Sequence, residues 1–165
     1  MKDSFHTIIL ALGSNVGDME KNIRSARFFL EEKITEIRQA SLYETKPWGY
    51  ANQKNFLNTV LCGITDLHPQ ELLSFTKSIE QKVGRIKRFQ NGPREIDIDI
   101  IFYDDRHFSS DTLVIPHPRM SLRDFVLVPM IELNAEFIHP KYNKTVKQLY
   151  QELDPLEHVV IKKLK

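Results

Sequence analysis

The segment Ile96–Tyr103 limits the possible folds more than any other part of the chain, because isoleucines surround two acidic residues within it. A run of β-branched and aromatic residues of this length is typical of a buried strand. Alternate residues of a strand point to one face, so Asp97 and Asp99 are predicted to project side by side, with Cα atoms about 6.6 Å apart. The apolar residues around the two acids favour a central strand of a sheet.

A basic loop precedes this strand. Four cations and no acid occur from Arg85 to Arg94, and Gly92 and Pro93 fix a turn that places Arg94 three residues before Asp97. The cations are Arg85, Lys87, Arg88 and Arg94. Carboxylates beside guanidinium groups predict a site that holds phosphate together with a divalent metal. Two alternatives stay open, which are a solvated loop and structural ion pairs of the acids with Arg94 or Arg85.

The order of strand and helix patterns along the chain predicts the fold. Besides the acidic strand, strand patterns occupy 7–12, 34–43 and 56–65, and helix patterns occupy 19–33 and 69–83. This β-α-β-β-α-β order predicts a ferredoxin-like α+β fold, an antiparallel sheet with helices on one face. No repeat, low-complexity segment or linker interrupts the chain, so residues 1–165 are predicted to form a single domain.

A helical C-terminal extension is expected to follow this unit. Its predicted parts are an edge strand at 112–115, a helix at about 120–133 broken or kinked near Pro129, a short helix at 146–153 and a polar tail.

Charge and cysteine usage exclude several classes of protein. The net charge is +1, so the chain lacks the broad basic field that nucleic-acid binding usually needs. The single cysteine, Cys62, excludes a disulfide framework and a cysteine-based zinc site. The N-terminal residues contain no apolar run long enough for a signal peptide or a membrane span, so a cytoplasmic location is expected.

Aromatic and polar residues outside the acidic strand are further candidates for ligand contact. The connection 44–55 is long for a compact domain and contains Trp48, which either packs as the loop's own small core or contacts a ligand. Asn58 shares a strand face with Phe56, and its amide either caps a strand end or recognises a polar ligand. His117 lies between two prolines, where either a structural or a functional role fits the spacing.

Six segments follow one another along nearly the whole chain in the order found in one enzyme family. They are Ala-Leu-Gly-Ser-Asn (11–15), Tyr-Glu-Thr-Lys-Pro-Trp-Gly (43–49), Asn-Phe-Leu-Asn (55–58), Gly-Arg-Ile-Lys-Arg (84–88), Gly-Pro-Arg-Glu-Ile-Asp-Ile-Asp-Ile-Ile (92–101) and Pro-His-Pro-Arg-Met-Ser-Leu-Arg-Asp-Phe-Val-Leu (116–127). Together they resemble the 6-hydroxymethyl-7,8-dihydropterin pyrophosphokinases of folate biosynthesis. The Gly-Pro-Arg-x-x-Asp-x-Asp motif is specific when the Pro-His-Pro segment accompanies it.

The resemblance implies transfer of the β,γ-pyrophosphate of ATP to the pterin hydroxymethyl group, giving AMP, with two Mg²⁺ ions. It places both ions on Asp97 and Asp99, and it places phosphate contacts, with a part in catalysis, on Arg85 and Arg94. A Mg²⁺ ion at the pterin hydroxyl would lower its pKa, with Asp99 as a proton acceptor. ATP is expected to contact a further set of residues, which are Glu80, Lys87, Arg88, Ile100, Val114, His117 and Arg123.

The resemblance also implies that the pterin lies between the rings of Phe56 and Phe125, because aromatic faces suit a flat heterocycle. Asn58 is expected to read the amide edge of the pterin, and Asp97 to lie beside it. Backbone groups of the preceding loop complete the predicted pterin site at Thr45, Pro47, Trp48 and Gly49. The loops 44–55 and 85–93 resemble mobile loops that close over substrates.

Two residues depart from the family pattern. Asn91 stands where an aromatic residue tends to precede Gly-Pro-Arg, and Lys87 replaces a frequent arginine. Both departures concern loop closure rather than the reaction.

Two rival functions are a two-metal nuclease and a non-catalytic ferredoxin-like binding module. A nuclease should show a wider basic surface, and an RNA-binding module should carry aromatic residues on its central strands. Because the family is commonly monomeric, a monomer without nucleic-acid or membrane partners is expected.

Overall fold

The computed structural model describes residues 4–164, so both ends of the predicted 1–165 domain lie outside the described residues. The strands are β1 (His6–Ser14), β2 (Thr35–Gln39), β3 (Tyr43–Thr45), β4 (Phe56–Thr65), β5 (Asp97–Tyr103), β6 (Phe108–Ser109), β7 (Val114–Ile115) and β8 (Val160–Lys163). The α-helices are α1 (Met19–Leu30), α2 (Pro69–Val83), α3 (Asp124–Asn134) and α4 (Val146–Gln151). Short 3₁₀ turns occupy Met120–Leu122 and Pro155–Glu157.

Six of these strands form one antiparallel sheet in the order β5-β1-β4-β3-β8, with β2 also paired to β4. The predicted ferredoxin-like fold is confirmed. The predicted strand 34–43 is divided into β2 and β3 at residues 40–42, where the pairing with β4 changes register, since Gln39 pairs with Leu61 but Tyr43 pairs with Asn58. A left-handed Glu36 (φ 51°) makes a further irregularity within β2. The predicted edge strand at 112–115 is β7, which pairs with β6 in a separate hairpin.

Helices α1 and α2 cover one face of the sheet. Helix α1 begins after Asp18, whose side chain accepts a hydrogen bond from the Lys21 backbone N–H, and it buries Ile23 and Leu30. Helix α2 begins with Pro69 and ends at Gly84, which adopts the left-handed conformation (φ 108°) that favours glycine. Their buried side chains pack on inward residues of β1, β4 and β5 to form the larger core.

The C-terminal extension covers part of the opposite face. Residues of α3 and α4, including Leu127, Met130 and Leu149, pack on Val60 of β4 and Phe102 of β5. The part of this face near Asp97 and Asp99 carries the candidate functional site.

The prediction that the acidic strand is central was wrong. Strand β5 lies at the end of the sheet, where its one strand partner among the described residues is β1. Its outer edge is bonded instead by side chains and loops, since the Ile98 N–H donates to the Glu80 carboxylate and the His117 N–H donates to the Ile101 carbonyl. These contacts and the two flanking helical layers bury its isoleucines without a second neighbouring strand.

Two predictions about the C-terminal part also need correction. The polar tail contains β8, which extends the sheet by pairing with β3. The predicted break near Pro129 lies instead at Arg123, whose extended backbone (φ −122°, ψ 98°) separates a 3₁₀ turn from α3, and α3 continues through Pro129. No helix within residues 4–164 is long and apolar enough to cross a membrane.

Candidate active site

A cleft of about 660 Å³ lies at the start of β5 and is bounded by the basic loop that follows α2. It gathers most of the residues predicted to bind ATP or metal. These are Glu80, Arg85, Lys87, Arg88, Arg94, Asp97, Asp99, His117 and Arg123. Arg119 lines it as well, and so does Lys77, which sequence reasoning had not assigned to the site.

Asp97 and Asp99 project from the same face of β5 into this cleft, as the strand period predicts. In the neighbouring strand they lie opposite Gly13 and Ala11, respectively. Because these partners are small, the space beside the carboxylates is left for ligands.

Asp97 is held by two arginines from the basic loop. Its carboxylate lies 2.9 Å from Arg85 Nη1 and 3.4 Å from Arg94 Nε. Burial raises the pKa of Asp97, but the charges of Arg94 and Arg85 outweigh burial and hold the pKa below its usual range. Asp97 is therefore ionised at neutral pH.

Asp99 has a different environment. Its nearest cation is Arg123, whose Nη1 lies 3.6 Å from Asp99 Oδ2. Burial, together with the negative charge of Asp97, raises the pKa of Asp99 to about 7. A bound cation would relieve the like-charge repulsion between the two carboxylates.

The donor set at this point fits a hard divalent cation. Two carboxylates offer oxygen ligands of the kind that Mg²⁺ prefers, and Mg²⁺ usually completes its coordination with water and substrate phosphates. No cluster of three or more histidine, cysteine or acidic side chains suited to a metal occurs in the described part of the chain, 4–164. The other ligands of a metal on Asp97 and Asp99 would therefore come from solvent or substrate.

Glu80 organises the base of the cleft. Glu80 is 4% exposed, and its carboxylate accepts the Ile98 N–H at 2.8 Å and pairs with Arg85 at 3.0 Å and Lys77 at 3.1 Å. Glu80 thus fixes the edge of β5 and steers the Arg85 guanidinium toward Asp97. Lys77 precedes Glu80 by one helical turn, and this spacing is the signal that could have identified it.

The basic loop is closed by an ion pair that sequence reasoning missed. Arg88 Nη1 and Nη2 donate to the two carboxylate oxygens of Glu95 at 3.0 and 2.8 Å. Hydrogen bonding to Arg88 lowers the pKa of Glu95 to about 2. The Arg88 guanidinium is therefore engaged within the loop, while Lys87 also lines the cleft.

His117 is neutral at physiological pH. Burial first, and then the charges of Arg123 and Arg119, lower its pKa to about 4. Its Nδ1 accepts the Arg119 backbone N–H at 3.2 Å, so the ring proton resides on Nε2. A neighbouring cavity of about 300 Å³ connects His117 and Asp99 with two of the predicted ATP contacts, Ile100 and Val114.

Arginine side chains lie over the two aromatic rings that are predicted to enclose a pterin. The Arg94 guanidinium lies 4.9 Å from the Phe56 ring centroid, and the Arg123 guanidinium lies 5.5 Å from that of Phe125. Arg123 also lies over the ring of Trp48, at 4.8 Å.

The other predicted pterin residues surround this area on β3, β4 and the loop between them. The Asn58 amide is buried and donates to Thr45 Oγ1 at 2.8 Å. Pro47 lies in the loop beyond Thr45, and Gly49 follows it with φ 89°. The placement is compatible with the predicted pterin contacts, which stay predictions.

The loops 44–55 and 85–93 meet each other across the cleft. The rings of Tyr50 and Phe89 lie edge to face with centroids 4.9 Å apart, and the Gln53 amide donates to the Asn91 carbonyl at 2.7 Å. Sequence reasoning assigned no role to Gln53. This contact joins the two loops directly.

Asn15, at the end of β1, connects both loops to the sheet. Its side-chain amide donates to the Gln53 side chain and to the Lys54 carbonyl, and its side-chain oxygen accepts the Arg94 N–H at 2.9 Å. The Ala-Leu-Gly-Ser-Asn segment was the signal that could have identified Asn15, because a buried asparagine after a strand needs polar partners.

Comparison with protein families gives one match to most of the chain. Residues 9–135 match the model of the family described as 7,8-dihydro-6-hydroxymethylpterin-pyrophosphokinase (HPPK). The 2-amino-4-hydroxy-6-hydroxymethyldihydropteridine pyrophosphokinase of Aquifex aeolicus is 47% identical over 146 residues, which are 88% of this chain and 91% of that protein. The Bacillus subtilis protein of the same name is 41% identical over 75% of each chain.

Other relatives are much longer proteins. The folic acid synthesis protein FOL1 of Dictyostelium discoideum is 42% identical over 86% of this chain, which spans only 22% of that relative. The crystal structure of wild-type Plasmodium falciparum HPPK-DHPS has a TM-score of 0.72 and 16% identity, covering 90% of this chain and 45% of the other. That likeness supports the fold.

Proposed function

Because the chain belongs to the 7,8-dihydro-6-hydroxymethylpterin-pyrophosphokinase family, we propose that it transfers pyrophosphate from ATP to 6-hydroxymethyl-7,8-dihydropterin, giving AMP and the pterin diphosphate. The single observation that carries this function is the convergence of arginines on the Asp97 and Asp99 pair. Arg85, Arg94 and Arg123 all lie within 4 Å of one of these carboxylates, in a cleft beside the rings of the predicted pterin site.

The arginines suit the binding of a triphosphate. Guanidinium groups bind phosphate oxygens in pairs, and charge neutralisation is most of what phosphoryl-type transfer needs from a protein. Within residues 4–164, Arg94 and Arg123 each have a buried Nε without a hydrogen-bond partner, although Arg94 Nε lies 3.4 Å from the Asp97 carboxylate. An arriving phosphate would satisfy groups that are costly to leave unpaired.

Other residues of the site would orient the two substrates. Neutral His117 offers an Nε2–H donor to the phosphates or ribose, and Glu80 holds Arg85 in place. The aromatic faces of Phe56 and Phe125 would receive the pterin after Arg94 and Arg123 turn to the phosphates. Closing the loops 44–55 and 85–93 would exclude water from the transferring group.

Mg²⁺ dependence with two ions is part of the proposal, and Asp97 and Asp99 would hold them. When bound, Mg²⁺ supplies charge neutralisation at the phosphates and a lower pKa for the pterin hydroxyl. The depressed pKa of Asp97 and the like-charge repulsion on Asp99 support this assignment.

The reaction is tested by identifying the nucleotide product. We expect AMP and pterin diphosphate, in equal amounts, from ATP, Mg²⁺ and 6-hydroxymethyl-7,8-dihydropterin, measured by mass spectrometry. Omitting the pterin or adding EDTA should abolish AMP release. Formation of ADP, or AMP release without pterin diphosphate, would contradict the proposal.

A monomeric state and a cytoplasmic location are proposed on the family resemblance. Light scattering coupled to size exclusion and cell fractionation test them.

A further inference from the structure

The C-terminal segment, residues 152–163, contacts the loop 44–55, which is predicted to bind pterin. The indole N–H of Trp48 donates to Glu157 Oε2 at 2.8 Å, across 109 positions of sequence. Glu157 lies in the 3₁₀ turn Pro155–Glu157, beyond the residues that match the family model. We propose that Glu157 is a positioning residue that holds Trp48 in place for pterin binding, an inference that rests on the proposed function.

The Trp48 ring has a defined partner on its face. The Arg123 guanidinium lies 4.8 Å from the ring centroid, and Arg123 Nη1 continues to Asp99 at 3.6 Å. Glu157, Trp48, Arg123 and Asp99 therefore form a continuous series of contacts from the C-terminal segment to the acidic pair. A change in the indole orientation would shift the Arg123 guanidinium, and a shifted guanidinium would alter its contact with Asp99.

Trp48 needs such a support because its loop has no regular secondary structure to hold the indole. Between the end of β3 at Thr45 and the start of β4 at Phe56, the backbone is neither helix nor strand. The bond to Glu157 is the one hydrogen bond of the Trp48 side chain within residues 4–164. A carboxylate acceptor is stronger than a neutral one, which suits a side chain held by one hydrogen bond.

Hydrogen bonds hold the backbone around Glu157 in place. The Glu157 N–H donates to the Asp154 carbonyl at 2.9 Å. Two residues further on, the N–H groups of Val159 and Val160 both donate to Asp124 Oδ2, at 2.8 and 2.9 Å. Asp124 is 1% exposed and directly follows Arg123.

The same segment is also fastened to the base of the loop. The Lys46 N–H donates to the Val159 carbonyl at 2.8 Å, and Thr45 pairs with Val160 where β3 meets β8. The C-terminal segment thus joins the Arg123 backbone and the Trp48 loop, and Glu157 is its side-chain contact with the indole. Its role is to orient Trp48, since Glu157 lies outside the cleft.

The test compares Glu157→Ala, Glu157→Gln and Trp48→Phe with the wild type. Glu157→Ala should raise the KM for the pterin about tenfold, the effect of one lost charge-assisted hydrogen bond, and raise the KM for ATP by a smaller factor, because Trp48 reaches the proposed ATP site only through Arg123. Glu157→Gln should keep the KM for the pterin close to the wild-type value, because its amide oxygen still accepts the indole N–H. Glu152→Ala, which removes a carboxylate from the same segment and its exposed pair with Lys144, is the matched control and should change neither KM.

A double-mutant cycle and fluorescence separate positioning from a structural role. In the Trp48→Phe background, Glu157→Ala should have no further effect on the pterin KM, because the donor is already gone. Trp48 is the single tryptophan, so Glu157→Ala should also shift its emission and increase its quenching by acrylamide. These optical readouts need no turnover, so they separate failure of this inference from failure of the proposed function, which would show as absent pterin diphosphate in the wild type.

Two results would overturn the inference. One is a Glu157→Ala variant with wild-type pterin KM and wild-type Trp48 emission. The other is a rise in pterin KM on Glu157→Ala that is equally large in the wild-type and the Trp48→Phe backgrounds, since the effect would then bypass the indole. Thermal melting of every variant shows whether a changed KM accompanies a folded protein.

Discussion

Asp97 combines three functions in one side chain, which are pairing with Arg85, pairing with Arg94 and the proposed binding of Mg²⁺. The arginines keep it ionised, so it is the stronger of the two acids for holding a cation at neutral pH. Asp99 has a pKa of about 7, so it is partly protonated at neutral pH when no cation is bound. A bound cation would favour its ionised form.

Replacing Asp97 by alanine should lower kcat by roughly 10²-fold or more, because it removes a proposed metal ligand and the anchor of two arginines that are proposed to bind phosphate. The fold should survive, since Asp97 lies in the cleft rather than in the core and Arg85 keeps its pair with Glu80. Initial rates at saturating ATP, pterin and Mg²⁺ measure the loss, and circular dichroism with thermal melting is the control. Retained Mg²⁺-dependent turnover would remove Asp97 from the metal site.

Asn91 shows how one unusual residue accommodates a loop. Its φ of 58° lies in the left-handed region, which asparagine tolerates better than other residues with a Cβ atom, apart from aspartate. Its side chain closely approaches Gly49, where a Cβ atom would lie 3.0 Å from Asn91 Nδ2. The departure from an aromatic residue at this position therefore coincides with a contact between the two loops.

At the scale of elements, the Gln53 side chain and the Asn91 carbonyl connect the two loops. Asn91→Ala should destabilise the local loop structure by about 1 kcal/mol, since alanine in the left-handed region is strained, whereas Asn91→Gly should keep it. Hydrogen exchange of the amides from 85 to 93 measures the difference, with roughly fivefold faster exchange expected for the alanine variant. Equal exchange in both variants would show that backbone strain does not control the loop.

Short-range features of these elements were predictable, and pairings across long separations were not. The period of two that aligns Asp97 with Asp99, the proline that begins α2 and the glycine that ends it are local rules of backbone geometry. The edge position of β5 depends on the distant partners Glu80 and His117, and the bond between Trp48 and Glu157 spans 109 positions. No local pattern encodes such pairings, so the prediction of a central strand was wrong and the pairing of the polar tail with β3 was missed.

At the scale of the whole molecule, acid should weaken folding through buried neutral histidines. His139 is 2% exposed, and its Nδ1 accepts the backbone N–H groups of Lys141 and Tyr142. Burial, with help from the charges of His107 and Lys141, lowers its pKa to about 4. Between pH 6.5 and pH 4 the unfolded chain therefore binds a proton at this residue that the folded protein does not, and stability falls as pH falls.

His139→Asn should flatten this dependence, because the asparagine oxygen can accept the same N–H groups and does not titrate. From about pH 7 to about pH 5 the wild type should lose roughly 1–2 kcal/mol of unfolding free energy more than the variant, as measured by urea denaturation. The surface variant His68→Asn serves as a control for an unrelated histidine. Equal acid sensitivity of wild type and His139→Asn would place the titrating group elsewhere.

The edge position of β5 also bears on self-association. An isoleucine-rich strand with open backbone groups is a template for aggregation, and natural proteins protect such edges with charges and covering segments. Here the Glu80 carboxylate occupies the Ile98 N–H, the His117 backbone occupies the Ile101 carbonyl, and Asp97 and Asp99 interrupt the apolar run. Residues of the proposed phosphate and metal site thus also occupy backbone groups through which this strand could pair with another strand, so a substitution made there to change the chemistry would also open the edge of the sheet.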